Sequence, residues 1–248
     1  SDPTLLFNAY LVSFIIGIIL SLILFFPELY ISYFKLNPEI VPHVIMFLKW
    51  TAFSIFPAFI FQATKEYLQA QGKVYAPNAI IWLYNVVNIA LNILFLFGLG
   101  TFKGFGIQGA AIATLICRSL MAITIFFYMK SVTPFEMKKN TATIRKIFKL
   151  GLPISFTILC EVLIFATVTV LVGGMHLVAS ASQNLVMNIT SLTFMVPMAL
   201  GSAISILVGE QFGKKSLDGI THLVKGALTL TLFLQIFFLL YSHLSLFF

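Results

Sequence analysis

Residues 149–172 read KLGLPISFTILCEVLIFATVTVLV, and after Lys149 a single charged side chain, Glu161, interrupts an apolar run. A helix places Glu161 about 18 Å from Lys149, near the centre of a hydrocarbon layer about 30 Å thick. A charge at that depth costs about 2.5–3.5 kcal/mol on insertion scales, so such residues usually face the protein interior and act on ions or protons. The stretch predicts a membrane-spanning helix with a functional carboxylate. The alternative is a neutral, protonated carboxyl bonded to a neighbour. Arg118 is either its counter-charge or a cation that snorkels to the interface.

The composition extends this prediction to the whole chain of 248 residues. Hydrophobic residues make up 60% and charged residues 9%, whereas a soluble domain carries about 25% charged residues. The net charge of +7 does not indicate a nucleic-acid partner, because the basic residues form no stripe with aromatic side chains. Cys117 and Cys160 lack disulfide or metal-site spacing. The sequence contains no HExxH, GxSxG or phosphate-loop motif, so it predicts no enzyme.

Seven apolar segments are long enough to cross a bilayer, and their continuous hydrophobicity is unlike the alternation of β-barrel strands. They lie near residues 7–34, 42–68, 76–98, 106–130, 147–172, 177–209 and 219–246. The sequence thus predicts an all-α, polytopic transmembrane helix bundle. The sixth segment is longer than a bilayer requires, so it must tilt, kink near Pro197 or protrude.

Lysine and arginine side chains predict the orientation, because cytoplasmic loops carry an excess of them. The even-numbered loops and adjacent helix ends hold eleven: Lys65, Lys73, Lys130, Lys138, Lys139, Arg145, Lys146, Lys149, Lys214, Lys215 and Lys225. The odd-numbered loops hold Lys35 and Lys103. We therefore expect the even loops to face the cytoplasm. The basic residues of 138–149 also suit anionic lipid head groups.

Three amides share one face of the third segment, because Asn85, Asn88 and Asn92 are spaced at i, i+3 and i+7. Amide oxygens can coordinate a small hard cation, and amide NH2 groups can donate to a substrate. Interhelical hydrogen bonding, which is common in membrane bundles, is the alternative. Thr114 lies in the small-residue run GAAIAT, where its hydroxyl most simply bonds its own helix backbone.

The sixth segment carries polar and soft side chains together. Asn184 and Asn188 are one turn apart, and Met187 and Met195 add adaptable surface that suits promiscuous binding. These four residues and Asn85 are our candidates for a substrate cavity. Plain packing or lipid contact is the alternative for the methionines.

Two stretches of the sequence resemble the multidrug and toxic compound extrusion (MATE) transporters, with spacing most similar to the NorM branch. One is FPAFIFQATKEYLQAQGKVYAPNAIIWLYNVVNIALNILFLFGLG (56–100), followed by GFGIQGAAIAT (104–114). The other is GLPISFTILCEVLIFA (151–166), followed by SASQNLVMNITSLTFMVPMALGSAISILVGEQFG (180–213). Its Gly-x-Pro opening, with a Glu eight residues after the proline, and its Phe-Met-x-Pro and Val-Gly-x-x-x-Gly elements carry the resemblance.

The resemblance implies a twelve-span fold in two six-span lobes, of which this chain would be a fragment covering spans three to nine. Residues 1–130 would then belong to the N-terminal lobe and residues 147–248 to the C-terminal lobe. Residues 131–146, the one long polar connection, would form the cytoplasmic linker between them.

Site roles follow from the same resemblance, residue by residue. Glu161 matches the seventh-span carboxylate that is proposed to bind the coupling cation or proton. Asn88, Asn92 and Thr114 match polar positions near a first-lobe cation site. The resemblance implies no cofactor and no metal site, other than one for transported sodium.

The function implied by the resemblance is multidrug efflux. The protein would be an antiporter of the bacterial inner membrane that exports lipophilic, often cationic compounds in exchange for sodium ions or protons. We expect it to contact membrane lipid and to act as a monomer once full length. A lipid-linked oligosaccharide flippase of related architecture is one alternative, but it would need a cavity rich in Arg and Lys, and only Lys49 and Arg118 lie within spans. A seven-span receptor is the other, but its usual topology starts outside.

Overall fold

The computed structural model describes residues 3–34, 38–99, 102–173 and 177–245. Within these ranges, seven helices are long and apolar enough to cross a membrane. They are α1 (Leu5–Phe25), α2 (Val41–Ala70), α3 (Tyr75–Asn92), α4 (Ile107–Val132), α5 (Thr141–Gly173), α6 (Leu177–Gly213) and α7 (Leu217–Ser245). The prediction of an all-α bundle with seven spans is confirmed.

The first span is shorter than the predicted segment 7–34. Helix α1 ends at Phe25, and two short 3-10 turns, Pro27–Leu29 and Ile31–Phe34, follow it. Proline ends the helix because it has no N–H to donate and its ring clashes with the preceding turn. Lys49 Nζ of α2 lies 2.6 Å from Glu28 Oε1, and this hydrogen bond lowers the pKa of the Glu28 carboxyl.

Helix α3 continues into a π-helical turn, Ile93–Phe97, and the chain then forms a short hairpin. Strand β1 (Gly98–Leu99) pairs antiparallel with β2 (Phe102–Lys103). Gly98 has a φ of 83°, a left-handed conformation that glycine adopts without steric strain. The hairpin returns the chain to α4, which therefore runs back beside α3.

The chain divides into two compact units, residues 1–148 and residues 149–248. In the first unit, α2 lies between α1 and α4, and α3 packs on the far side of α4. Leu68, Ile125 and Met129 are fully buried between α2 and α4. Where the helices meet water, burying these side chains removes apolar surface from water and so stabilises the packing. Within lipid, the packing is stabilised by the dispersion energy of their close contacts.

The buried Asn8, near the start of α1, hydrogen-bonds to the polar connection that follows α4. Its Nδ2 donates to the backbone oxygens of Thr4 at 2.7 Å and Lys138 at 3.2 Å. Its Oδ1 accepts from the backbone N–H of Asn140 at 2.8 Å. The Asn140 side chain in turn accepts from the backbone N–H of Ala142, in the first turn of α5. One amide therefore holds the connection and positions the beginning of the next helix.

The second unit contains most of α5 together with α6 and α7. Helix α6 has 37 residues and runs continuously through Pro197. Helices α6 and α7 pack against each other. The rings of Phe165 on α5 and Phe194 on α6 contact each other at a centroid distance of 6.2 Å.

Candidate cation site and substrate cavity

The amides of α3 bond to each other along their own helix. Asn92 Nδ2 donates to both the backbone oxygen and Oδ1 of Asn88, each at 2.9 Å. Both side chains are half-buried, whereas Asn85 is exposed. Among the described residues, the side-chain hydrogen bonds of Asn88 and Asn92 run along α3 and none reaches another helix. The carbonyl oxygens of the two amides retain lone pairs that can accept a cation or a donor.

Two contacts fix the register of α3 against α4. Towards one end, the hydroxyls of Tyr84 and Thr124 lie 2.8 Å apart. Towards the other, a Cβ added at Gly109 would lie 2.0 Å from the backbone oxygen of Phe95, which shows how closely the two backbones approach. The helices therefore run antiparallel, and the middle of α3 lies beside the middle of α4.

This register gives the predicted first-lobe residues of α3 and α4 similar positions along the helix axes. Interpolation between the two contacts puts Asn92 at about the same position along the helix axes as Thr114. It puts Asn88 at about the same position as Arg118. The Thr114 hydroxyl donates to the backbone oxygen of Ala110 at 2.9 Å, which is the simple alternative stated for it. Its oxygen can still accept a second interaction, so the bond does not exclude it as a cation ligand.

Arg118 bonds within the first unit. Its Nη1 donates to the buried Ser54 Oγ of α2 at 2.7 Å, and that hydroxyl donates to the backbone oxygen of Thr51 at 2.9 Å. None of the ion pairs found in the described part of the chain involves Arg118. The guanidinium is therefore a positive charge held by a neutral hydroxyl in the middle of the helix.

An apolar cavity of about 480 Å³ opens between α1, α2 and α4. Its lining comprises Tyr10, Leu11, Ser13, Phe14, Phe56, Phe59, Ile60, Ala122, Ile123, Phe126 and Phe127. The Tyr10 hydroxyl is already bonded to Thr64 Oγ1 at 2.5 Å, and no residue of the lining is charged. Cavities of roughly 300–1,000 Å³ with mostly hydrophobic and aromatic walls are typical of small-molecule sites.

Glu161 lies on the side of α5 that turns towards α6. It is half-buried, and it precedes Phe165 by one turn on the same face, where that ring contacts Phe194 of α6. Its carboxylate has no hydrogen bond or ion pair with any residue that the structure describes. The second unit thus holds a half-buried carboxylate without a partner among the described residues, and its role in cation or proton coupling stays a prediction.

The α6 candidates are not brought into this arrangement. Asn188 is exposed, Met195 is 63% exposed, and Met187 is half-buried. The side chain of Asn184 lies outside the described residues. None of these residues, nor Asn85, lines the aromatic cavity of the first unit. Their assignment to a substrate cavity stays a prediction.

A sequence model of the MatE family matches residues 3–94 and 153–247. The chain belongs to the MatE family. One matched segment lies in each compact unit. The resemblance to MATE transporters seen in the sequence is confirmed.

Curated relatives of this MatE chain bear the NorM name. It is 32% identical over 207 residues to the probable multidrug resistance protein NorM of Mannheimia succiniciproducens, covering 79% of this chain and 44% of that protein. It is 31% identical over 189 residues to the probable multidrug resistance protein NorM of Bacillus subtilis, covering 72% and 42%. The chain thus spans less than half the length of these relatives.

Solved MATE structures share the fold. A crystal structure of a MATE protein in complex with MaD3S superposes with a TM-score of 0.81 at 17% identity, covering 96% of this chain and 55% of that chain. An outward-facing multidrug resistance MATE family transporter gives 0.80 at 19% identity, covering 96% and 54%. With seven helices able to span a membrane, this MatE chain is part of an integral, multi-pass membrane protein.

Sequence reasoning missed the aromatic cavity and the bond between Arg118 and Ser54. The sequence indicates the cavity only weakly. Tyr10 and Phe14 are one helical turn apart, and Phe56 and Phe59 share a helix face. With 27 Phe in the chain, however, such spacings recur in several helices and do not single out one group.

Proposed function

We propose that this chain is part of a multidrug efflux antiporter, which exports lipophilic, often cationic compounds in exchange for sodium ions or protons. MatE family membership and the NorM relatives support this assignment. The bacterial relatives support the bacterial inner membrane as the location. The loop charges support an orientation with the basic loops in the cytoplasm. The aromatic cavity carries the proposal, because it offers a lipophilic molecule a site of suitable size.

The chemistry of the cavity suits this cargo. Five Phe rings, a Tyr ring and aliphatic side chains bury apolar surface without demanding a particular hydrogen-bonding pattern, so different compounds can bind. The ring faces also attract organic cations, an interaction worth about 0.5–2 kcal/mol for each well-placed ring. Phe126 already has Lys130 Nζ at 5.5 Å from its centroid.

The same lining argues against the flippase alternative. Pyrophosphate recognition requires several Arg or Lys side chains, which bind phosphate through charge-assisted hydrogen bonds. The described lining of this cavity contains neither residue type. An uncharged aromatic pocket suits a drug far better than a lipid-linked diphosphate.

Coupling requires that cation and cargo do not remain bound together. In the proposed cycle, Glu161 holds either an inbound cation or proton, or favours the outbound cargo. Alternating access about a midplane site, as in other transporters built from repeats, would then convert an ion gradient into export.

We expect a full-length protein containing this chain to expel a fluorescent lipophilic cation such as ethidium from proteoliposomes when a sodium or proton gradient is imposed. Efflux with each gradient alone identifies the coupling ion. Liposomes without protein are the control. Equal dye retention in both preparations, under either gradient, would contradict the proposed function.

Filling the cavity should weaken dye binding. Ser13→Phe adds a ring from the half-buried wall of the cavity, so we expect the dissociation constant for ethidium to rise about tenfold. Ile19→Phe on the same helix adds a ring at an exposed position outside the lining and should change it little. Fluorescence titration of the purified full-length proteins measures both. A similar effect of the two substitutions would show that the cavity is not the binding site.

A further inference from the structure

Phe135 is the only aromatic residue of the polar connection 131–146, and its side chain is half-buried. The centroid of its ring lies 6.3 Å from that of Tyr10 in α1 and 6.4 Å from that of Phe126 in α4. Both of these rings line the aromatic cavity, whereas the described lining does not include Phe135. Phe135 therefore forms a second layer behind two walls of the cavity.

These contacts place Phe135 at one end of the cavity. On α1, Tyr10 is the lining residue closest to the beginning of the helix, and on α4, Phe126 is among the lining residues closest to the end. The connection 131–146 follows the end of α4, and Asn8 bonds it to the beginning of α1. The loop charges predict that this end faces the cytoplasm.

Hydrogen bonds on both sides of Phe135 hold its backbone in place. Before it, the backbone N–H and the hydroxyl of the buried Thr133 both donate to the backbone oxygen of Met129, at 3.0 and 2.9 Å. After it, the backbone N–H of Glu136 donates to the backbone oxygen of Pro3 at 3.3 Å. The ring is therefore carried by a segment that is bonded to both α4 and the residues preceding α1.

We propose that Phe135, Tyr10 and Phe126 form a three-ring seal, which closes this end of the cavity to water and to cargo. Apolar constrictions exclude water and ions, because these lose hydration there without gaining polar partners. Phe135 is a positioning residue in this seal, since it acts through the two lining rings, and cargo passes this end only when it moves. The inference rests on the proposed function, because it takes the cavity as the cargo site and describes how that site is closed.

The rate at which a charged thiol reagent reaches the cavity tests the seal. Ser13→Cys places a thiol in the cavity wall of the full-length protein, in which the half-buried Cys160 and any cysteines outside residues 1–248 are replaced by alanine. In lipid nanodiscs, the cationic methanethiosulfonate reagent MTSET reaches both aqueous faces, but its permanent charge keeps it out of the lipid. Mass spectrometry of the Ser13→Cys peptide gives the rate constant of modification.

Phe135→Ala removes the outer ring of the seal and should raise this rate constant about tenfold or more. Phe135→Tyr keeps a ring and should stay within about twofold of the parent. Phe135→Leu retains apolar volume without a ring, so it keeps the test valid if Phe135→Ala fails to fold. We expect it to raise the rate constant about threefold.

Two controls separate an opened seal from a loosened protein. Phe97→Ala makes the same chemical change at a side chain that is 77% exposed and outside the described lining, so it should leave the rate constant unchanged. The native Cys117, which is buried in α4, should stay unmodified in every variant, whereas general loosening would expose it.

Equal rate constants in the parent, Phe135→Ala and Phe135→Leu would overturn the proposal. An equal acceleration by Phe97→Ala, or modification of Cys117 together with Ser13→Cys, would also overturn it. Because the measurement uses no dye, failed dye efflux would overturn the proposed function but not the seal.

Discussion

Glu161→Gln is expected to reduce cation-driven dye efflux by about tenfold or more in a full-length protein containing this chain. Glutamine has nearly the same shape but can neither release a proton nor present a negative charge to a cation. If Glu161 exchanges cation and cargo, the substitution removes the step that links their movements. Helix α5 should still form, because a neutral amide is easier than a carboxylate to place within a membrane.

Dye efflux under an imposed gradient measures this effect in proteoliposomes. Glu210→Gln is the matched control, since it makes the same chemical change in the same unit at an exposed side chain paired with Lys214. Surface ion pairs of this kind contribute little, about 0–1 kcal/mol, so this control should transport normally. Efflux by Glu161→Gln within twofold of the parent would rule out an essential role for the carboxylate.

Gly109→Ala is expected to destabilise the first unit by about 3 kcal/mol, at the upper end of the usual range for overpacking. The added Cβ would lie 2.0 Å from the backbone oxygen of Phe95 and 2.4 Å from its carbonyl carbon. Relief requires α3 and α4 to move apart, because backbone atoms cannot rotate away as a side chain does. The movement would also shift Asn92 of α3 relative to Thr114 of α4.

Thermal unfolding of the detergent-solubilised full-length protein should show a fall of about 5 °C or more for Gly109→Ala. Gly226→Ala is the control, because its added Cβ meets nothing within 4 Å in α7. Alanine favours a helix interior over glycine by up to about 1 kcal/mol, so the control should unfold at the same or a slightly higher temperature. Equal melting temperatures for both variants and the parent would show that α3 and α4 do not approach this closely.

The membrane-spanning helices could be predicted because their determinants are local. Each span satisfies its backbone hydrogen bonds within itself, so a sufficient run of apolar residues is enough to specify it. The boundary at Phe25 was misplaced by about nine residues, since apolarity continues past Pro27 although the helix does not. The bond between Asn88 and Asn92 likewise follows from helical spacing alone.

Contacts between distant parts of the chain could not be predicted in this way. Ser54 and Arg118 are 64 residues apart, and Asn8 and Asn140 are 132 apart. Nothing in either local sequence indicates its partner, because many polar residues in other spans are equally compatible with it. The aromatic cavity depends in the same way on which faces of α1, α2 and α4 meet.

By itself, the sequence determined that seven helices are long and apolar enough to cross a membrane and that the amides of α3 share a face, and it predicted that Glu161 lies at mid-depth. These are consequences of composition and helical period, which act within a span. Only the tertiary structure decided that Asn92 and Thr114 lie at a similar position along the helix axes and that an aromatic cavity opens between faces of α1, α2 and α4. Apolar helices can pack on one another in many registers, and the close approaches of particular residues, such as Gly109 against Phe95, select one of them.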